Sequence, residues 1–380
     1  MARSGPRKVG GLALSTLLLI ACTTGGTASP SATGAPPATS GPASENPASA
    51  SPATSAEPSA EATLAPAEQS SVKLGIWLPN AGSLASLHQG LDKGYFKDEG
   101  LDVELIVVAD TRAAVTGGSV DVGILDMGPV AQAISEGLAI QIASSYRCRR
   151  SYMYGVRPEI KTPADLSGKD VVLEWVAGEP DGNARKALLK EAGWDLDAIT
   201  PPPSYVIIPG FSNAATKVFV AGKLFGMPVY TQTKTPTLEA GGRLLVDKLS
   251  DWPNDVVFAN SDWIAKNPNT MAHLLRGIMR GVADTFDMSR QNDILALLKA
   301  QGVATENEEK TLAANPNAMI LNQVSYCGNL YFDQQESDEL LAAQGLNPMP
   351  TWDKLADIKP LLAAQQSMGL TNELPPPPGS

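Results

Sequence analysis

From Thr23 to about residue 70 the chain is built from Ser, Thr, Pro, Ala and Gly with four acids, Glu45, Glu57, Glu61 and Glu68. That stretch has no Lys or Arg and almost no large apolar side chain. Such a segment cannot bury enough surface to offset the entropy of ordering it. Its prolines favour extended, semi-rigid conformations, and its Ser/Thr density suits O-glycosylation. Any fold must therefore come from residues 72–370, about 300 residues of ordinary apolar content, enough for a substantial core and about two domains. Residues 371–380, which include Pro375 to Pro378, read as a second unstructured tail.

Upstream of this tether, Arg3, Arg7 and Lys8 precede an apolar run from Gly11 to Ala21 that is too short to span a bilayer. A basic head, a short greasy middle and small residues before a cysteine describe an export signal. Leu19-Ile20-Ala21-Cys22 resembles the lipobox of bacterial lipoproteins. The resemblance implies removal of residues 1–21, acylation of the Cys22 thiol, and a tether over 22–71 at the extracytoplasmic face of the membrane. No later segment approaches twenty continuous apolar residues. The net charge of −11 disfavours nucleic acid and anionic lipid as partners. Cys148 and Cys327 are left as an even pair in an oxidising compartment, open to a disulfide or to two separate buried thiols. Two histidines and no Cys/His cluster argue against a zinc site, and nothing calls for a cofactor.

The folded part alternates strand and helix patterns. Strands are expected at 72–77, 103–108, 120–125, 139–144, 169–175, 206–208 and 225–230. Helices are expected at 83–99, 130–136 and 184–192, the last closed by Gly193, with helical pattern again over 263–299 and 336–366. This alternation predicts an α/β protein with parallel sheets covered on both faces, in two successive sets that suggest two lobes. Ligands of open α/β sheets bind beyond the carboxyl ends of the strands. That rule nominates the loops 77–80, 126–129, 175–183, 210–213 and 227–231.

Four motifs occur in order along the chain. Gly94-Tyr95-Phe96-Lys97-Asp98-Glu99-Gly100-Leu101-Asp102-Val103-Glu104 is followed by Gly118-Ser119-Val120-Asp121-Val122-Gly123. Lys161-Thr162-Pro163-Ala164-Asp165-Leu166-Ser167-Gly168-Lys169 and Trp263-Ile264-Ala265-Lys266-Asn267-Pro268 come next. Together they resemble the substrate-binding proteins of ABC importers for nitrate, alkanesulfonates, taurine and thiamine pyrimidine precursors. The resemblance implies a two-lobed type 2 periplasmic-binding-protein fold. Lobe one would comprise 72–150 plus 250–370 and lobe two 151–249, joined by two hinge strands and closing on a solute. It further implies a monomer that hands its ligand to membrane permease subunits and performs no chemistry. The same fold serves a pyrimidine synthase using Lys-bound pyridoxal phosphate and a histidine. Here His88 falls near the corresponding helix, but no paired lysine precedes it within a turn.

Within that frame Trp77-Leu78-Pro79-Asn80 resembles the W-x-PN segment of pyrimidine- and flavin-type members. Trp77 would stack on a flat ring and Asn80 would hydrogen-bond its edge, the alternative being that Trp77 is a core residue beneath the cleft. Trp175, Phe211 and Tyr230 are candidates for the opposite wall, Asp126 or Glu174 for accepting from a ring amine, and Gly128 for the loop after the third strand. An anion would instead use Gly182-Asn183 at a helix start, Arg185 and Ser212. Glu179 and Asp181 place two acids at that same helix start, which disfavours an anion. Arg147, Arg149, Arg150 and Arg157 around the crossover are expected to be solvated or ion-paired. The favoured ligand is thus a neutral or cationic heteroaromatic solute. An alkanesulfonate, taurine or nitrate receptor, or a ligand sensor uncoupled from transport, are the alternatives.

Overall fold

The computed structural model describes residues 63–77, 81–303, 305–316 and 325–377. Cys22, most of the tether, Asn80 and the last three residues lie outside the described residues.

Among the described residues ten strands form two sheets: β1 (Ser71–Ile76), β2 (Asp102–Val107), β3 (Val122–Asp126), β4 (Ile140–Ser145), β5 (Arg150–Val156), β6 (Asp170–Val171), β7 (Ser204–Tyr205), β8 (Gly226–Val229), β9 (Arg243–Ser250) and β10 (Asp255–Asn260). The first sheet has the order β2-β1-β3-β10-β4 and the second β7-β6-β8-β5-β9. This is the two-lobed α/β architecture that the sequence resemblance implied. The sheets are not wholly parallel, however. β10 runs antiparallel to β3 and β4, and β5 runs antiparallel to β8 and β9. The reason lies in the crossings. β4 ends where the chain leaves the first lobe, and β10 begins where it returns, so the two must point in opposite directions. β5 and β9 stand in the same relation in the second lobe. Every other strand thereby directs its carboxyl end toward the crossing.

The two crossings run side by side. Tyr146 and Arg147 donate their backbone N–H groups to the Asp255 carbonyl at 2.7 and 3.1 Å, and Asn254 N donates to the Arg147 carbonyl at 2.7 Å. A third segment braces them: Arg149 N donates to the Ser325 carbonyl at 3.1 Å, and Cys148 is bonded to Cys327 with Cα atoms 5.8 Å apart. Residues beyond 370, read as an unstructured tail, are also tied in up to Pro375. Asn329 Nδ2 donates to the carbonyls of Thr371 and Glu373 at 2.8 and 2.7 Å, and Arg149 donates to the Pro375 carbonyl.

Alternation along the strands fills two separate faces of the second sheet. Tyr152, Tyr154, Val171 and Leu173 pack with the helix Asp181–Glu191. Met153, Val172, Met227 and Val229 pack with the helix Phe211–Val220. In the first lobe the helix Pro268–Thr285 lies on the helix Ala81–Asp92 through an apolar stripe that includes Leu274, Leu275, Ile278 and Val282. The expected helical stretch 263–299 is broken into Ser261–Lys266, Pro268–Thr285 and Gln291–Ala300, the first break set by Pro268 at a helix start. Glu68 caps the middle helix, accepting from Asn269 N at 3.1 Å and Thr270 N at 2.7 Å, so the end of the tether is fixed to the first lobe. Among the described residues no helix is long and apolar enough to cross a membrane.

Close approach of the two helices depends on Gly281, where a Cβ would overlap the Ser86 carbonyl. Gly281→Ala is expected to cost about 1–3 kcal/mol of stability, as overpacking a tight contact does. The check is urea unfolding, with the midpoint lowered and the slope unchanged.

Candidate functional site

The strand ends place four aromatic rings in one chain of contacts. Trp77 follows β1, Trp175 lies four residues after β6, Phe211 opens its helix and Tyr230 follows β8. Trp77 of the first lobe meets Phe211 of the second edge-on, with ring centroids 5.3 Å apart and planes at 80°. Trp175 lies 6.3 Å from Phe211 and 6.1 Å from Tyr230, and donates its indole N–H to the Tyr230 hydroxyl at 2.7 Å. Phe211 has φ of 56° and follows Gly210 at 93°, two successive left-handed residues. That region costs a bulky residue about 1–3 kcal/mol, so the ring is held in place by its surroundings.

Beneath the rings runs a chain of charges that crosses the lobe boundary. Asp126 ends β3 and caps the next helix, its Oδ1 accepting from Gly128 N at 3.0 Å. Its Oδ2 accepts from Arg150 Nη2 at 2.7 Å. Arg150, the first residue of β5, donates through Nη1 to Asp181 Oδ1 at 2.7 Å. Asp181 opens the helix Asp181–Glu191, accepts from the Tyr152 hydroxyl at 2.8 Å and pairs with Arg185 one turn on. Arg185 then donates to the Leu173 carbonyl at 2.5 Å and to the Tyr230 hydroxyl at 3.2 Å, which joins the charges to the aromatic wall. Glu179 accepts from Trp175 N at 2.8 Å.

Three carboxylates thus face two guanidiniums. Burial pushes Asp126 up to about 7, with Asp181, Asp255 and Glu179 adding to the rise against the pull of Arg150. Burial and Asp181 likewise raise Glu179. Burial alone would raise Asp181 too, but Arg185 and Arg150 outweigh it and hold that carboxyl below its ordinary value.

Comparison with known proteins places this arrangement. No curated protein matches the chain by sequence. A family model described as "NMT1/THI5 like" matches residues 84–291, more than half of the chain. The chain belongs to the NMT1/THI5-like family. Its fold is that of the periplasmic binding proteins. The periplasmic nitrate-binding protein NrtA of Synechocystis PCC 6803 superposes with a TM-score of 0.57 at 17% identity, covering 82% of this chain and 92% of that one. The periplasmic aliphatic sulphonate binding protein SsuA of Escherichia coli gives 0.53 at 16% identity, over 76% and 92%. A putative periplasmic sulfonate-binding protein of Methylobacillus flagellatus KT gives 0.58 at 14% identity, over 82% and 98%.

In this NMT1/THI5-like chain the residues singled out from sequence divide into two groups. Trp77, Trp175, Phe211 and Tyr230 come together, and Trp77 is half-buried outside the first lobe's core. Asp126 is linked to them through Arg150, Asp181 and Arg185, but both its oxygens are engaged by Gly128 and Arg150. The others are turned to packing. A Cβ on Gly128 would meet the Gln344 amide at 2.6 Å. Asn183 donates to the Gln344 carbonyl at 3.0 Å, latching the second lobe's helix to the end of Gln334–Ala343. Ser212 is buried in the first turn of its helix. Arg147 and Arg150, expected to be solvated or paired, are both paired: Arg150 is buried between Asp126 and Asp181, and the half-buried Arg147 pairs with Asp255.

Sequence reasoning did not assign Arg150, Tyr152 or Gln344 to the site. The alternation of Arg150, Tyr152 and Tyr154 was a legible strand signal, and Asp181 and Arg185 stand at helical i, i+4 spacing.

Two outcomes follow from the charge chain. Arg150→Met leaves the half-buried Asp126 and the buried Asp181 without their shared cation and is expected to cost about 3–5 kcal/mol in denaturant unfolding. Asp126 has a folded value above its unfolded one, so it contributes stability at low pH that is lost as pH rises toward about 7. Asp126→Asn cannot titrate. Its unfolding free energy, measured relative to the parent, is therefore expected to rise from about pH 4 to about pH 7.

Proposed function

We propose that this chain is the extracytoplasmic solute-binding component of an ABC importer, held at the membrane by a lipid on Cys22 and closing its lobes on a small ring-bearing solute. The favoured solute is neutral or cationic and heteroaromatic, of the thiamine-pyrimidine or flavin kind. It would be passed as bound by a monomer to the permease, without chemistry.

The observation that carries the ligand class is the pairing state of the cleft. Its aromatic wall is contributed by both lobes, and each pair of rings adds about 0.5–1.5 kcal/mol beyond burial, as a flat solute inserted among them would. The two guanidiniums beside that wall, Arg150 and Arg185, are already bound to Asp126 and Asp181. An anion needs donors that are free to turn toward it. Here it would meet a surplus carboxylate. The sulfonate and nitrate receptors among the structural neighbours support the receptor reading through their fold, and the charge balance argues against their ligand class for this chain.

A thermal-shift screen of the full chain against 4-aminopyrimidines, riboflavin, taurine, ethanesulfonate and nitrate tests this. An aminopyrimidine or flavin is expected to raise the melting temperature by mass action. Phe211→Ala should weaken that binding about two- to tenfold, the worth of one well-placed ring contact. Tight binding of ethanesulfonate, taurine or nitrate that is unaffected by Phe211→Ala would overturn the ligand class.

A further inference from the structure

The second lobe carries a cavity of about 210 Å³ between the ends of β6 and β7 and the start of the helix Asp181–Glu191, with none of the four rings of the aromatic wall in its lining. Leu173, Glu174 and Trp175 follow β6 along a bent segment. Leu173 enters the core under the helix Asp181–Glu191 and Trp175 joins the aromatic wall. Glu174 falls against Gly182, where an added Cβ would stand 3.4 Å from its Oε2, so the glycine leaves room for the carboxylate.

Glu174 is half-buried and makes no hydrogen bond or ion pair among the described residues. Every other charge nearby is spoken for. Lys186 is bound to Asp197 at 2.7 Å and lies over the Tyr205 ring at 4.8 Å from its centroid. Leu173, Tyr205, Val206 and Ile207 supply the apolar part of the lining, with Tyr205 43% exposed and Ile207 39% exposed. Asn183 forms the rim, its amide held by the first lobe's Gln344 carbonyl.

A half-buried carboxylate without a partner among the described residues, set in a small hollow beside Leu173, Tyr205 and Ile207, is complementary to one kind of ligand group. We propose that this cavity is a second binding site, separate from the aromatic wall, for a primary ammonium carried on a small apolar or aromatic body, with Glu174 accepting from the ammonium. The apolar body would rest on Leu173, Tyr205 and Ile207, as small-molecule sites pair a greasy lining with a few placed polar groups. The site does not depend on what the aromatic wall binds.

Calorimetric titration of the full chain with phenethylamine hydrochloride and with 2-phenylethanol separates the charge from the ring. The amine is expected to bind at least about tenfold more tightly, the gain of one charge-assisted bond. Glu174→Gln should erase that preference, and Ile207→Trp, which fills the hollow and leaves the carboxylate in place, should block both ligands. Phe211→Ala, in the aromatic wall, should leave amine binding unchanged. No amine binding by the parent, a preference that survives in Glu174→Gln, or its loss in Phe211→Ala would each overturn the proposal. The last of these would assign the amine to the aromatic cleft and leave the function proposed above standing.

Discussion

The Arg150 guanidinium is the interaction on which the rest depends. It is nearly inaccessible to water and has one hand on the first lobe's Asp126 and the other on the second lobe's Asp181. A buried charge of this kind is tolerated only when its partners are in place, because removing an ion from water costs several kcal/mol. Arg150 therefore demands an acid at the end of β3 and another at the start of the helix Asp181–Glu191. Its position is set in turn by the paired crossings, since it begins β5 just past Arg149, whose N–H is held by the Ser325 carbonyl. Hinge, charge chain and strand ends are thus one piece of geometry.

The aromatic wall hangs from that chain through Arg185 and the Tyr230 hydroxyl. Tyr230 also receives the Trp175 indole N–H, so a ring that would face the solute is oriented by a guanidinium that would not. The left-handed Phe211 adds a local conformational cost that the fold sustains in order to bring the ring against Trp77. Such strain is sustained where surrounding contacts over-determine the backbone. The acid surplus in the cluster, three carboxylates to two guanidiniums, raises Asp126 and Glu179 while Asp181 stays ionised between Arg150 and Arg185.

Much of the architecture was legible before any coordinates. The strands β1 to β4 and β8 fall close to the apolar runs that announce them, and the rule placing ligands beyond strand ends led to Trp77, Trp175, Phe211 and Tyr230. β5, β9 and β10 were not anticipated. Arg243–Ser250 mixes Arg, Asp and Lys among its apolar residues and is half open to solvent, so its pattern is not that of a buried strand. Gly128 and Asn183 read as ligand contacts because their loops were right, yet both are occupied by Gln344, a residue 161 positions beyond Asn183. No local pattern encodes a partner at that distance.

The chain by itself determined where a fold could exist, since residues 23–70 have almost nothing to bury, and it determined two α/β sets and the aromatic character of their loops. These are properties of composition and short-range periodicity, which survive without knowledge of neighbours. Only the tertiary structure decided which charges are spent and which remain. Arg150 and Arg185 could have received an anion, but their acids arrive from other elements and close them off, while Glu174 receives no partner among the described residues. Electrostatic complementarity depends on distances of a few ångströms between segments far apart in sequence, and those distances exist only once the chain has folded.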